Sequence, residues 1–98
     1  MLTVYKYPIP ATLVEEGIDY NETFKLLIPN PGVIIKLGIQ PHVSLQFQIW
    51  ALVDPKEQPI VNKFLLLYTG GKTEETNLLF IDSWISDGIV IHLFKVLK

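Results

Sequence analysis

The stretch VSLQFQIWALVD, residues Val43 to Asp54, alternates apolar and polar side chains with a period of two. This alternation is typical of an antiparallel strand that packs one face on a core. The predicted core face consists of Leu45, Phe47, Ile49, Ala51 and Val53. Trp50 and Leu52 fall on the opposite face, where another segment or another molecule must cover them.

The same periodicity recurs between Gly, Pro, Asn and Asp punctuation along the rest of the chain. The predicted strands are Leu2 to Tyr7, Glu22 to Ile28, Val33 to Gln40, Val43 to Asp54, Val61 to Thr69, Asn77 to Ile85 and Ile89 to Leu97. Short turns link most of them, and an Asp-Gly pair favours a final hairpin. We therefore predict one all-β domain over residues 1–98, a small antiparallel β-sandwich or barrel of about six to eight strands with little or no helix.

Two strands carry more specific expectations. In the third, the alternation places Val33, Ile35, Leu37 and Ile39 on the core side. The fifth is apolar on both faces from Phe64 to Leu67, which predicts a central strand covered on both sides.

Composition narrows the classes of function. The chain is 49% hydrophobic and only 18% charged, so we expect part of its apolar surface to enter an interface, most simply in a homodimer. All eight basic residues are lysines scattered along the chain, which argues against duplex nucleic acid as a partner. The absence of cysteine excludes disulfides and thiolate metal sites, and without an evident signal peptide or membrane span we expect an intracellular protein with no membrane partner.

No constellation of residues indicates catalysis, and we predict no enzyme activity, no metal and no cofactor. His42 and His92 lack metal-ligand spacing, and His92 is expected at the edge of the core with a backbone hydrogen bond. Asp82 is the one aspartate not assigned to a turn; it shares a predicted strand face with Phe80 and Trp84. The plain expectation for it is a solvent-facing or lysine-paired residue.

Seven residues are candidates for binding: Trp50, Leu52, Tyr68, Thr69, Lys72, Asp82 and Trp84. Aromatic side chains on otherwise polar strand faces are common interface anchors and also stack on nucleobases. The alternative for Trp50 is a second, minor core under another segment. The loop from Tyr68 to Thr73 loosely resembles a phosphate cradle, although an ordinary hairpin loop is the plainer explanation.

Several motifs resemble a family of small proteins of unknown function encoded mainly by bacteriophages and prophages. They are Tyr5-Lys6-Tyr7-Pro8, Trp50-Ala51-Leu52-Val53-Asp54-Pro55 and the closing His92-Leu93-Phe94-Lys95-Val96. The chain departs from the family where it reads Tyr-Thr-Gly-Gly at residues 68–71 and in a longer segment between Pro10 and Glu22. The resemblance implies a phage origin and the host cytoplasm, and it supplies no catalytic residue.

The leading hypothesis is a small phage protein that binds a host protein, for example a defence or host-takeover factor, or else another phage protein. A second hypothesis is an oligomer that sequesters a small molecule such as a nucleotide signal, lined by Trp50, Tyr68, Thr69 and Lys72. A third is a structural or assembly role in the virion.

Overall fold

The computed structural model describes residues 1–10, 23–40, 44–86 and 88–97, and within these ranges the chain forms seven strands and no helix. The strands are β1 (Thr3–Pro8), β2 (Thr23–Pro29), β3 (Pro31–Gln40), β4 (Ser44–Val53), β5 (Pro59–Tyr68), β6 (Leu78–Ser86) and β7 (Ile89–Val96). No helix long and apolar enough to cross a membrane is found in these ranges.

The strands form two antiparallel sheets that pack face to face. Sheet A has the order β1-β4-β3, and sheet B has the order β2-β5-β7-β6. The prediction of a small all-β antiparallel sandwich or barrel is therefore confirmed, and the two-sheet arrangement is that of a sandwich. β4 is the central strand of sheet A. Its predicted core face lies against sheet B, and Phe47, Ile49, Ala51 and Val53 are all buried.

Strand β3 departs from the predicted alternation because it contains irregularities in its register with β4. One of these shifts lies between Ile34 and Lys36. An inserted residue reverses the facing of the positions on one side of it. Ile34 therefore packs against the core, whereas Val33 and Ile35 are 53% and 54% exposed. The prediction that Val33 and Ile35 face the core was wrong.

Strand β5 is covered on both faces, as its apolar middle predicted. Phe64 and Leu66 face the core between the sheets and are fully buried. On the outer face Leu65 is also fully buried, and an added Cβ on Gly71 would lie 2.9 Å from Leu67 Cδ1. The segment after β5 therefore runs back over the outer face of sheet B.

An ion pair fastens that segment to sheet B. Lys63 Nζ lies 3.4 Å from Glu75 Oε1, and both side chains are about one-third exposed (38% and 31%). Asn77 continues the attachment, since its Nδ2 donates to Leu97 O and its carbonyl accepts from Leu97 N, each at 2.8 Å.

Candidate functional site

The outer face of sheet A places a tryptophan between two lysines. In the register of the sheet, Trp50 on β4 lies directly opposite Lys6 on β1 and Lys36 on β3. Directly opposed residues in antiparallel strands project from the same face. We call this surface the tryptophan face; it comprises Val4, Lys6, Val33, Lys36, Trp50 and Leu52.

The next rung of the tryptophan face is apolar. Leu52 is paired with Val4 on one side and Val33 on the other. Val4 is 48% exposed and Val33 is 53% exposed, whereas Leu52 between them is partly buried. An apolar strip thus adjoins the row that carries the two lysines.

Trp50 lies outside the core cluster and is partly buried by its own sheet. Its Cζ3 atom lies 3.5 Å from the point where a Cβ on Gly38 would sit, so the ring packs beside the backbone of β3. Lys6 Nζ donates to Gln40 Oε1 at 2.6 Å, and its side chain therefore crosses β4 beside Trp50. Gln48, two residues from Trp50 on the same face, is only 4% exposed, so the minor-core alternative for Trp50 stays a prediction beside the interface role.

Asp82 and Trp84 lie elsewhere, at the seam where β6 of sheet B meets β3 of sheet A. A register shift between Phe80 and Asp82 turns Asp82 toward the interior, where Oδ2 accepts a 2.9 Å hydrogen bond from Leu37 N. Oδ1 accepts from Ser83 N at 2.8 Å. The predicted common face with Phe80 was wrong, and so was the expectation of a solvent-facing or lysine-paired Asp82.

Trp84 is a packing residue of the same seam. Its ring packs against the core and meets Phe47 edge to face at a centroid distance of 6.1 Å. Its Nε1 is buried and has no hydrogen-bond partner in the described part of the chain. Trp84 Cζ3 also lies 3.5 Å from a Cβ built on Gly38, so both tryptophans border the same backbone position.

The remaining candidates belong to sheet B and its loop. Tyr68 is partly buried against the core, whereas Thr69 and Lys72 are exposed. A single chain therefore does not gather Trp50, Tyr68, Thr69 and Lys72 into one pocket. The candidate residues divide into the tryptophan face, the seam and the loop after β5.

His92 connects two hydroxyl groups on the outer face of sheet B. Its Nδ1 lies 2.8 Å from Ser83 Oγ, and its Nε2 lies 3.0 Å from Thr69 Oγ1. These partners are side chains and not the predicted backbone groups, because β5, β7 and β6 bring the two hydroxyls to either side of the ring. No acidic side chain in the described ranges hydrogen-bonds to this histidine, and no three His, Asp or Glu side chains there form a metal-binding group. His42 lies outside the described residues.

Sequence reasoning missed Lys6 and Lys36 as members of the site. The alternation placed Lys36 on the face away from the core, as the structure does, but only the pairing of β3 with β4 puts it beside Trp50. Lys6 joins the site only through the pairing of β1 with β4, a contact between segments more than 40 residues apart. The sequence offers only one indication that these two residues belong to a site: both are isolated lysines in strands that are otherwise largely apolar.

Comparison with known proteins identifies a family and no characterised relative. No curated protein and no solved structure is significantly similar to the chain. A family described as a domain of unknown function, DUF7352, matches residues 1–98. Since this match covers the whole sequence, the chain belongs to the DUF7352 family.

Proposed function

We propose that this chain is a small phage protein that acts without catalysis in the host cytoplasm, by binding a host protein through the tryptophan face. The observation that carries the proposal is the position of Trp50, outside the core cluster and between Lys6 and Lys36 on one sheet face. Burial in a core would explain a large aromatic residue without reference to a partner. Trp84 packs against the core cluster, whereas Trp50 does not belong to the cluster that the described residues form.

The chemistry of the face favours an acidic partner surface with an apolar centre. Trp is among the residues most enriched at interface positions whose truncation costs about 2 kcal/mol or more. Val4, Leu52 and Val33 extend the apolar contact area next to it. Lys6 and Lys36 are exposed, and no described acid forms an ion pair with either. Their charges would therefore attract carboxylates at the rim of the partner's surface.

The extent of the face also constrains the mode of binding. Three strands about 4.8 Å apart, contacted over roughly six residues of about 3.3 Å each, offer a few hundred Å². A standard interface buries about 800 Å² on each partner. We therefore expect the tryptophan face to supply the centre of the contact and adjoining surfaces to supply its margin.

The test is affinity capture from host lysate with matched variants. Trp50→Ala and the double variant Lys6→Glu/Lys36→Glu should each lose the protein that wild type recovers. Lys25→Glu and Ile85→Ala change exposed positions of sheet B and should retain it. Recovery of the same protein by all variants, or of no specific protein by the wild type, would exclude the proposed surface.

A second candidate function, sequestration of a nucleotide, is favoured by the same row of residues. A base can stack on an indole while phosphates pair with flanking lysines. This version uses Trp50, Lys6 and Lys36 in place of the loop residues. Thermal-shift measurements against a nucleotide panel should show a rise in Tm that depends on concentration and is lost in Trp50→Ala. A flat response would exclude this candidate and leave protein binding unaffected.

Self-association is also part of the proposal. Leu27 and Val61 lie directly opposite each other on sheet B and are 60% and 61% exposed, an apolar pair suited to an interface between copies. We expect light scattering to give the mass of a dimer. A mass near the 11.2 kDa of one chain would contradict this.

A further inference from the structure

A groove lies between the first residues of β3 and of β6, at one end of the seam. It has a volume of about 370 Å³ and is lined by Pro31, Gly32, Val33, Ile34, Leu79, Phe80, Ile81 and Lys95. We call it the rim groove. Its volume lies toward the lower end of the range of about 300–1,000 Å³ that is usual for binding pockets.

The rim groove lies between two sheet edges whose backbones are not paired to each other. Both β3 and β6 are terminal strands of their sheets, and no ladder joins them. Near the middle of β3, the outward amide of Leu37 is satisfied by the carboxylate of Asp82. Toward Pro31 the described residues provide no such contact from β6. An edge of this kind is a template for adding an extended strand.

The walls of the rim groove are apolar and already in place. Val33, Leu79 and Phe80 are each more than half exposed, at 53%, 53% and 55%. The Phe80 ring is held edge to face against Phe94, with centroids 5.8 Å apart. An occupant could therefore bury apolar side chains here without a large rearrangement of the groove.

The rim groove contains one charged group, and that group has no described counterion. Lys95 lies opposite Leu79 in the register and is partly buried. The ion pair of Lys63 with Glu75 is the one salt bridge among the described residues, and it does not involve Lys95. A partly desolvated ammonium group next to apolar walls favours an occupant that brings a carboxylate.

We infer that the rim groove binds an extended acidic peptide segment, in which a carboxylate paired with Lys95 lies between apolar side chains that contact Val33 and Phe80. The unpaired edges of β3 and β6 select an extended backbone, and the single lysine selects the charge. Val33 borders both the rim groove and the tryptophan face, but Lys95 and Phe80 lie outside that face, so the inference does not depend on the proposed role of Trp50.

A ribosome-displayed library of random eight-residue peptides, selected on immobilised protein, tests the inference. We expect enrichment of peptides that carry Asp or Glu between apolar residues. Affinity of the best synthetic peptide, measured by fluorescence anisotropy, should fall about tenfold or more in Lys95→Met and in Leu79→Glu. Methylation of alternate backbone amides in that peptide should abolish binding, because strand addition requires those donors.

Matched controls distinguish this outcome from others. Lys25→Glu changes an exposed lysine on β2, at the far edge of sheet B, and should bind the peptide as the wild type does. Trp50→Ala should also bind the peptide as the wild type does. Failure of the peptide-binding inference can therefore be distinguished from failure of the function proposed for the tryptophan face. Leu79→Glu replaces an exposed side chain and should stay folded even if Lys95→Met does not, which circular dichroism of each variant would verify. Absence of acidic enrichment, undiminished affinity of folded Lys95→Met or Leu79→Glu, or tolerance of amide methylation would each overturn the inference.

Discussion

Removal of the Asp82 carboxylate should weaken the attachment of β6 to β3 and so lower the stability of the protein. In Asp82→Ala the Leu37 amide loses its acceptor at 2.9 Å. Leu37 is fully buried, so a water molecule cannot easily take the place of the carboxylate. A hydrogen bond to a charged group contributes about 1.5–3 kcal/mol, and an unsatisfied buried donor costs a similar amount. We expect the free energy of unfolding to fall by about 2 kcal/mol.

Urea unfolding followed by tryptophan fluorescence and by circular dichroism measures this change. With an m value of about 1–3 kcal/mol/M, the midpoint should fall by roughly 1 M. The melting temperature should drop by about 8–16 °C, from about 4–8 °C per kcal/mol for a domain of this size. Asp82→Asn retains one acceptor oxygen without the charge and should lose about half as much.

The control is Asp54→Ala, which removes a carboxylate whose Oδ1 accepts from Lys56 N at 3.0 Å in an exposed turn. Its expected cost is at most about 0.5 kcal/mol. If the loss in free energy of unfolding in Asp82→Ala matched that in Asp54→Ala within error, the Asp82 carboxylate would not stabilise the seam. The assignment of a structural role to Asp82 would then fail.

Three further predictions concern other parts of the sandwich. Trp84→Ala should cost about 3–5 kcal/mol because its ring packs on the core, whereas Trp50→Ala should cost roughly 1 kcal/mol; equal losses in denaturant titration would contradict the division between seam and face. Gly38→Ala should stabilise by about 0.4–1 kcal/mol, since the new Cβ meets both tryptophan rings at an ordinary 3.5 Å. Gly71→Ala should destabilise by about 1–3 kcal/mol, since its Cβ would lie 3.0 Å from Tyr68 O; calorimetry that gave both glycine variants the same sign of change would refute this contrast. Burial, reinforced by the neighbouring Tyr5, raises the pKa of Tyr7 above 10.0. The folded state thus retains this proton more tightly than the unfolded chain, and stability should be intact below about pH 10 and decline above it; a Tyr7→Phe variant with an equally steep alkaline decline would show that another group is responsible.

The strands and the core of this protein could largely be predicted from the sequence. Phe47, Ile49, Ala51 and Val53 face the core as their spacing indicates, and β5 is covered on both sides as its unbroken apolar run indicates. Alternation with a period of two is a local property, and a strand with one buried face must display it. The same local property placed Trp50 and Leu52 opposite the core.

The surfaces depended on tertiary structure. Irregularities in β3 and β6 exposed Val33 and turned Asp82 inward, and a register shift of this kind depends on the partner strand as well as on the strand's own residues. The lysines flanking Trp50 come from β1 and β3, which the order of sheet A brings to either side of β4. The sequence by itself therefore determined the apolar faces of the regular strands, because strict alternation there fixes the side to which each residue points. Only the tertiary structure decided which side chains share a surface, because strand order and register arise from contacts between distant segments.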